Sequence, residues 1–306
     1  MPSRPVLITG PTASGKSELA LTVAERDGGG VVNADALQVY AGWQLLTARP
    51  GREATARAPH ALYGHVPGHA PYSVGHWLRD VAGVLEDAAR RGRRPVIVGG
   101  TGLYMSALTE GLSPIPPVDR DVRRRADALM QSNGLADLRD DLAARDAETA
   151  ATIDLANPAR VQRAWEVLEA TGCGLAAWRR VRSKPLVPRE MAVCAVVNPE
   201  PARLAERIGR RFEAMLAAGA LEEVRRALAE GWNPRLAAAK ALGAAELVAY
   251  LRGETGLDAA AARSVGATRR FAKRQRTWFR GRMADWQWLD PGDASAAALA
   301  DAVPRR

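Results

Sequence analysis

Val6-Leu-Ile-Thr-Gly-Pro-Thr-Ala-Ser-Gly-Lys-Ser-Glu-Leu-Ala20 decides the fold. The apolar run Val6-Leu7-Ile8 meets Gly10, four residues, then Gly15-Lys16-Ser17, and passes directly into the helix-type stretch Glu18-Leu19-Ala20-Leu21. That order is strand, tight loop, helix. Glycines permit the loop dihedrals, the loop's backbone N–H groups converge on an anion at the helix N-terminus, Lys16 adds a positive charge, and the Ser17 hydroxyl can ligate Mg²⁺. Gly10, Pro11, Thr12, Ala13, Ser14, Gly15, Lys16 and Ser17 are therefore candidates for a phosphate site, with Ser17 the candidate metal ligand. Hydrolases, small-molecule kinases and other transferases all cradle a diphosphate in this way, so the loop alone does not select the reaction.

Working outward, Val31-Val-Asn-Ala-Asp35 reads as a second strand ending in an acid. Arg94-Pro-Val-Ile-Val-Gly-Gly-Thr101 reads as a third, opening into a helix at Gly102. Strands separated by helices and beginning at a phosphate loop predict an α/β fold: a P-loop-type parallel sheet with flanking helices. Ligands of such sheets sit beyond the strand C-termini, which gathers Lys16, Asp35 and Thr101 at one rim. The Gly/Pro/His-rich stretch 49–76 reads as a long loop. From about 119 to 183 the pattern is helical throughout, bounded by prolines on both sides, which predicts an all-helical insertion. Strand pattern returns at Met191-Ala-Val-Cys-Ala-Val-Val197, followed by helices to Arg282. The expected organisation is a core domain over 1–118, the insertion over 119–183, the rest of the core over 184–290, and a tail over 291–306.

The chain has 306 residues, 47% of them hydrophobic, enough for a sizeable core and more than one folding unit. Its two cysteines, Cys173 and Cys194, form no Cys-x-x-Cys pair, which fits a reducing compartment. No run of eighteen apolar residues is present, so a cytoplasmic protein without a membrane span is expected. The net charge of +9 is more specific. Between Arg263 and Arg282 lie eight basic residues and no acidic one, interleaved with Phe271, Trp278 and Phe279. Exposed helix faces normally mix signs, so this one predicts a nucleic acid partner. At helical spacing Arg269, Lys273, Arg276 and Arg280 form one stripe, while Ala267, Phe271 and Trp278 can face the core.

Five segments taken in order resemble the bacterial tRNA dimethylallyltransferase family: Gly10-Pro-Thr-Ala-Ser-Gly-Lys-Ser17, Asp35-Ala-Leu-Gln-Val-Tyr40, Thr47-Ala-Arg-Pro50, Val98-Gly-Gly-Thr-Gly-Leu-Tyr104 and Ala267 to Arg280. The resemblance implies transfer of a dimethylallyl group from its diphosphate to the exocyclic amine of the adenosine at tRNA position 37, just 3′ of the anticodon. It implies dimethylallyl diphosphate as co-substrate, Mg²⁺ as cofactor, the anticodon stem-loop of tRNA as partner and a monomer as the acting form. By the same resemblance Arg207, from the group Arg203, Arg207, Arg210 and Arg211, holds the diphosphate. Contacts to tRNA are carried over to Asp35, Ala36, Leu37, Gln38 and Thr101, to Arg123, and to Ala159, Arg160, Val161, Gln162 and Arg163. On the basic helix they fall to Lys273, Arg274, Gln275, Arg276, Trp278 and Arg280. The sequence departs from the family at Ala241-Leu-Gly-Ala-Ala-Glu246, where a tyrosine and a lysine are usual.

The chemistry asks for such residues on its own terms. Negative charge grows on the departing diphosphate, where Lys16, loop N–H groups and an arginine stabilise it. The adenine amine is a poor nucleophile, so a base that takes its proton lowers the barrier. Asp35 is the candidate base and Thr101 a group to orient the adenine; a cap, or for Asp35 a Mg²⁺ ligand, are the alternatives. Gln38 has the amide geometry to read a base edge. An adenine in a single-stranded loop leaves its stack cheaply. If the basic helix neutralises about six phosphates, binding weakens on the order of a thousandfold from low to moderate salt. Rival readings are a small-molecule kinase, a prenyltransferase acting on free adenine nucleotides, and a non-catalytic RNA-binding protein.

Overall fold

The computed structural model describes residues 4–291; the rest of the expected tail lies outside the described residues. Six strands, β1 (Val6–Thr9), β2 (Gly30–Asn33), β3 (His60–Ala61), β4 (Pro95–Gly99), β5 (Val193–Val197) and β6 (Gln287–Leu289), form one sheet in the order β3-β2-β4-β1-β5-β6. Every pairing is parallel. The central strands read as continuous apolar runs because both faces are covered. Val6, Ile8, Val31, Val96, Val98, Ala195 and Val197 pack on one side against helix α1 (Lys16–Arg26) through Leu19, Ala20 and Val23. Leu7, Val32, Ile97 and Val196 alternate with them and pack on the other side. Their partners there include Trp77 and Val81. Arg94, at the foot of β4, is 4% exposed and ion-paired with Asp27 just after α1.

The stretch 49–76 is more regular than its composition suggests: it holds helix α2 (Arg52–Arg57) and the edge strand β3 before helix α3 (Val74–Arg90) begins at a Ser73/His76 capping box. A strand of two residues is too short for periodicity to register. Helix α4 (Gly102–Glu110) leaves β4 directly.

Two compact units emerge. Residues 110–185 form the smaller, which begins earlier than the 119 expected from the prolines. It contains helices α5 (Arg120–Ser132), α6 (Leu135–Arg145), α7 (Ala147–Thr152), α8 (Pro158–Thr171) and α9 (Leu175–Arg179) around Ala126, Leu138, Leu142, Val161, Ala164 and Val167. The larger unit resumes at Leu186. After β5 come α10 (Pro201–Ala217), α11 (Ala220–Ala229), α12 (Ala244–Leu251) and the long α13 (Leu257–Arg282). These helices share a core with Val39, Tyr40, Trp43 and Leu46, which bends the segment after β2 toward the sheet rim. Strand β6 lies beyond the last expected helix and completes the edge beside β5.

Candidate active site

Gly15 sits at φ 96°, a left-handed conformation that glycine adopts without penalty, and starts α1. A Cβ there would also lie 3.0 Å from the Arg207 guanidinium, so the glycine lets α10 approach the loop. Lys16 Nζ donates to Pro11 O at 3.2 Å. Burial pushes the Lys16 ammonium down to about 8, with Asp35 pulling it up and Arg211 adding to the fall. Loop and helix enclose a cavity of about 440 Å³ lined by residues 12–17, Asp35, Gln38, Thr47, Ala48, Tyr63, Arg207, Arg210 and Arg211. Three of the four arginines named from the sequence thus face it, and Arg207 stands over the loop. Burial holds the Arg211 guanidinium below its ordinary pKa, again offset by Asp35.

The exit of β2 is fixed by Asn33, fully buried: its amide donates to Asp35 O and Leu62 O, and its Oδ1 accepts from Asp35 N. Asp35 Oδ1 accepts from Leu37 N at 2.9 Å. Its Oδ2 lies over Gly100, 3.4 Å from where a Cβ would sit. Thr101 Oγ1 accepts from Ala36 N at 2.9 Å, joining the ends of β2 and β4 and leaving its own proton to donate. Lys16, Asp35 and Thr101 therefore do share one rim.

A second cavity, of about 580 Å³, opens beyond Asp35. Leu37, Leu46, Leu103, Phe271, Trp278 and Phe279 give it apolar walls, and Ala36, Gly100, Thr101, Lys240 and Arg274 also border it. Thr12, Asp35, Thr47 and Arg211 belong to both cavities.

The structure corrects several expectations. The buried stripe of α13 is Ala260, Ser264, Ala272, Gln275 and Phe279, so Phe271 and Trp278 line the second cavity instead of facing the core. Trp278 is 36% exposed and lies against Gly102. Gln275 is buried, its amide engaged with Thr12 N and Gly100 O, where it borders the second cavity instead of lying on the exposed basic face. Gln38 lies on the first cavity, its Nε2 donating to Thr47 O and Ala48 O, which takes its donor away from any base edge. In the smaller unit Val161 is fully buried in the core, whereas Ala159 and Arg160 are exposed. Arg123 and Arg163 flank the buried Glu166, each at 3.8 Å, and Gln162 donates to Asp127 and Glu166. Lys273 and Arg280 are exposed and Arg276 half-buried.

Tyr63 and Ala48 were not among the expected site residues. Burial, then Asp35, pushes the Tyr63 phenol up. The loop leading into Thr47 and Ala48 is held by Glu223, whose buried carboxylate accepts from the N–H groups of Gln44, Leu45 and Leu46. The conspicuous signal for that loop was the Thr47-Ala-Arg-Pro50 motif; nothing local pointed to a glutamate far along the chain. Ala13 and Ala48, both lining the first cavity, have φ of 63° and 49°, strained values for alanine.

A phosphate loop at the rim of a parallel sheet, topped by arginines and opening onto an apolar chamber, defines a P-loop-type protein. The chain belongs to the IPP transferase family, whose model matches residues 38–282. It is 59% identical to the tRNA dimethylallyltransferase of Cereibacter sphaeroides over 285 residues, 93% of this chain and 88% of the relative. It is 57% identical to that of Dinoroseobacter shibae over 291 residues, 95% and 96% of the two chains. Among solved structures, the full-length tRNA isopentenylpyrophosphate transferase of Bacillus halodurans matches with a TM-score of 0.69 and 30% identity over 98% of this chain and 95% of that one.

The Lys16 shift carries a pH prediction. Without an anion, Lys16 loses its proton as pH rises through about 8, well below the ordinary 10.5. A bound diphosphate favours the charged form, so binding above pH 8 takes up a proton. The donor's last ionisation, near pH ~6 for a phosphate ester, is already complete. Affinity for dimethylallyl diphosphate should therefore fall with rising pH, by up to about tenfold per unit, from about 8 until the higher pKa that Lys16 takes beside the bound anion is reached. Calorimetry in buffers of different ionisation enthalpy reads the proton directly; flat affinity and no uptake across that window would refute it.

Proposed function

We propose that the chain transfers the dimethylallyl group of dimethylallyl diphosphate to the exocyclic amine of an adenosine in tRNA, the one just 3′ of the anticodon, releasing diphosphate. The observation that carries this reading is the wall shared by the two cavities, with Asp35 in it. The diphosphate lies in the cationic cavity against the phosphate loop, Lys16, Arg207 and Arg211. The adenine, turned out of the anticodon loop, enters the apolar chamber from the side bordered by α13.

The carbon–oxygen bond of the donor breaks as the carbon–nitrogen bond forms. The electron pair leaves with diphosphate, where Lys16 and the arginines balance it, and the amine proton passes to Asp35 Oδ2. Thr101 donates its hydroxyl proton toward the adenine and keeps Asp35 in register. Ser17 is exposed on the rim of the donor cavity, and among the described residues no cluster of three His, Cys, Asp or Glu side chains is placed to hold an ion. The Ser17 hydroxyl would help hold Mg²⁺, which would add positive charge at the leaving group. Lys273, Arg274, Arg276 and Arg280 face the RNA backbone, with Trp278 at the chamber's edge. On the helical unit, the residues that the family resemblance assigns to RNA and that its core leaves accessible are Arg123, Ala159, Arg160, Gln162 and Arg163.

We take a monomer as the acting form. No described helix is long and apolar enough to cross a membrane, and we assign the enzyme to the cytoplasm with its tRNA.

The test is incubation with dimethylallyl diphosphate, Mg²⁺ and unmodified tRNA, followed by mass analysis of the nucleosides. One adenosine per tRNA should gain a dimethylallyl group, AMP offered in competition should not, and ATP should not be consumed. Prenylated AMP at equal efficiency would move the chain to the free-nucleotide enzymes; ATP turnover without RNA would make it a kinase.

A further inference from the structure

Gln275 is a polar side chain on the buried face of a basic helix, 7% exposed. Thr12 N donates to its Oε1 at 2.9 Å, and its Nε2 donates to Gly100 O at 2.8 Å. Thr12 belongs to the phosphate loop; Gly100 immediately precedes Thr101. One carboxamide thus joins three elements: the helix that carries Lys273 and Arg274, the loop under the diphosphate, and the turn that carries Thr101. Gly100 makes room for it, since a Cβ there would collide with the amide and crowd Asp35 Oδ2. Both ends of the carboxamide are matched, one accepting and one donating, so no other uncharged side chain of this length satisfies both loops at once. On either side of Gln275 in sequence, Ala272 packs with Ala13, Leu204 and Ile208 and Phe279 with the cluster around Leu7, Val32 and Ile97, so the helix is anchored both before and after the amide.

We propose that Gln275 is a positioning residue that couples acceptor binding to donor binding, a role that rests on the reading of the chain as a tRNA dimethylallyltransferase. RNA held on the exposed face of α13 restrains the helix. Through Gln275 the restraint reaches Thr12 and fixes the phosphate loop in its anion-binding shape, while Gly100 keeps Thr101 and Asp35 in register with it. Each substrate then raises the affinity for the other by the same factor.

The test measures the dissociation constant of dimethylallyl diphosphate with and without a saturating anticodon stem-loop that carries purine, which has no exocyclic amine, at the acceptor position. In the wild type the RNA should tighten donor binding about tenfold, within the usual range of such couplings. In Gln275→Met, of similar length and without hydrogen bonds to offer, the tightening should shrink below about twofold. Each ligand alone should still bind within about threefold of wild type, and kcat should fall about thirtyfold at unchanged KM for tRNA. Gln275→Glu keeps an acceptor for Thr12 N but sets an oxygen against Gly100 O; it should show the same loss of coupling, and it carries the test if the methionine variant does not fold. Coupling absent from the wild type, or retained in a folded variant, overturns the inference, as does a parallel loss of both single-ligand affinities. Failure of the wild type to prenylate tRNA would overturn the functional reading instead, and is scored separately.

Discussion

Lys16→Ala lowers the single-turnover rate of prenyl transfer by about a thousandfold while the dissociation constant for tRNA stays within about threefold. Lys16 lines the donor cavity and not the apolar chamber, so the RNA has no direct use for it. Its charge matters most when the leaving group carries its full negative charge, which is the condition for a loss in rate beyond any loss in binding. Stability does not confound the measurement. Burial disfavours the ammonium in the folded protein, so below pH 8 its removal relieves a cost, and the melting midpoint should hold or rise. Rapid-quench kinetics with saturating substrates, beside filter binding of tRNA, separates the two quantities. A variant that keeps more than about a tenth of the wild-type rate removes Lys16 from the chemistry.

Asp35→Asn is the second large effect, a fall of about a hundredfold to ten-thousandfold in rate. Asparagine preserves the turn, because an amide oxygen can accept from Leu37 N as Oδ1 does. What disappears is the ability to take the amine proton. A second consequence is specific to this geometry: Asp35 raises the pKa of Lys16, so its neutralisation shifts the pH dependence of donor binding to lower pH. The variant should thus lose donor affinity at a pH where the wild type still binds fully. Unchanged tRNA affinity distinguishes a base from an anchor; equal losses of rate and tRNA affinity would make Asp35 a contact to the RNA. An unmoved donor-binding curve would show that the two residues do not interact.

The fold was legible from Val6 to Ala20 onward because phosphate-loop geometry is local: glycines, lysine and hydroxyl stand next to one another in the chain. Asp35 and Thr101 were legible for a related reason, since strand ends of a parallel sheet fall on one rim whatever the intervening residues do. The inward face of α13 was not. Burial rules of thumb send a glutamine outward and a tryptophan inward. Gln275 faces in because two loops, more than 170 residues away in sequence, present a donor and an acceptor at its amide. Trp278 faces a chamber that exists only once Leu37, Leu46 and Leu103 are assembled around it. Val161 turns inward for the opposite reason: a run of contacts carried along a helix takes no account of the residues, every third or fourth, that turn to the core. Glu223 could not be found at all, because its partners are main-chain N–H groups, and those leave no trace in residue identity.

The left-handed alanines beside the phosphate loop have an evolutionary reading. Glycine at 13 or 48 would relax the backbone, so selection for heat tolerance alone would favour it. It would also loosen two walls of the first cavity, and on the proposed function a sturdier enzyme would hold its donor less well. On that reading, methyl groups held at an uncomfortable torsion put shape ahead of robustness.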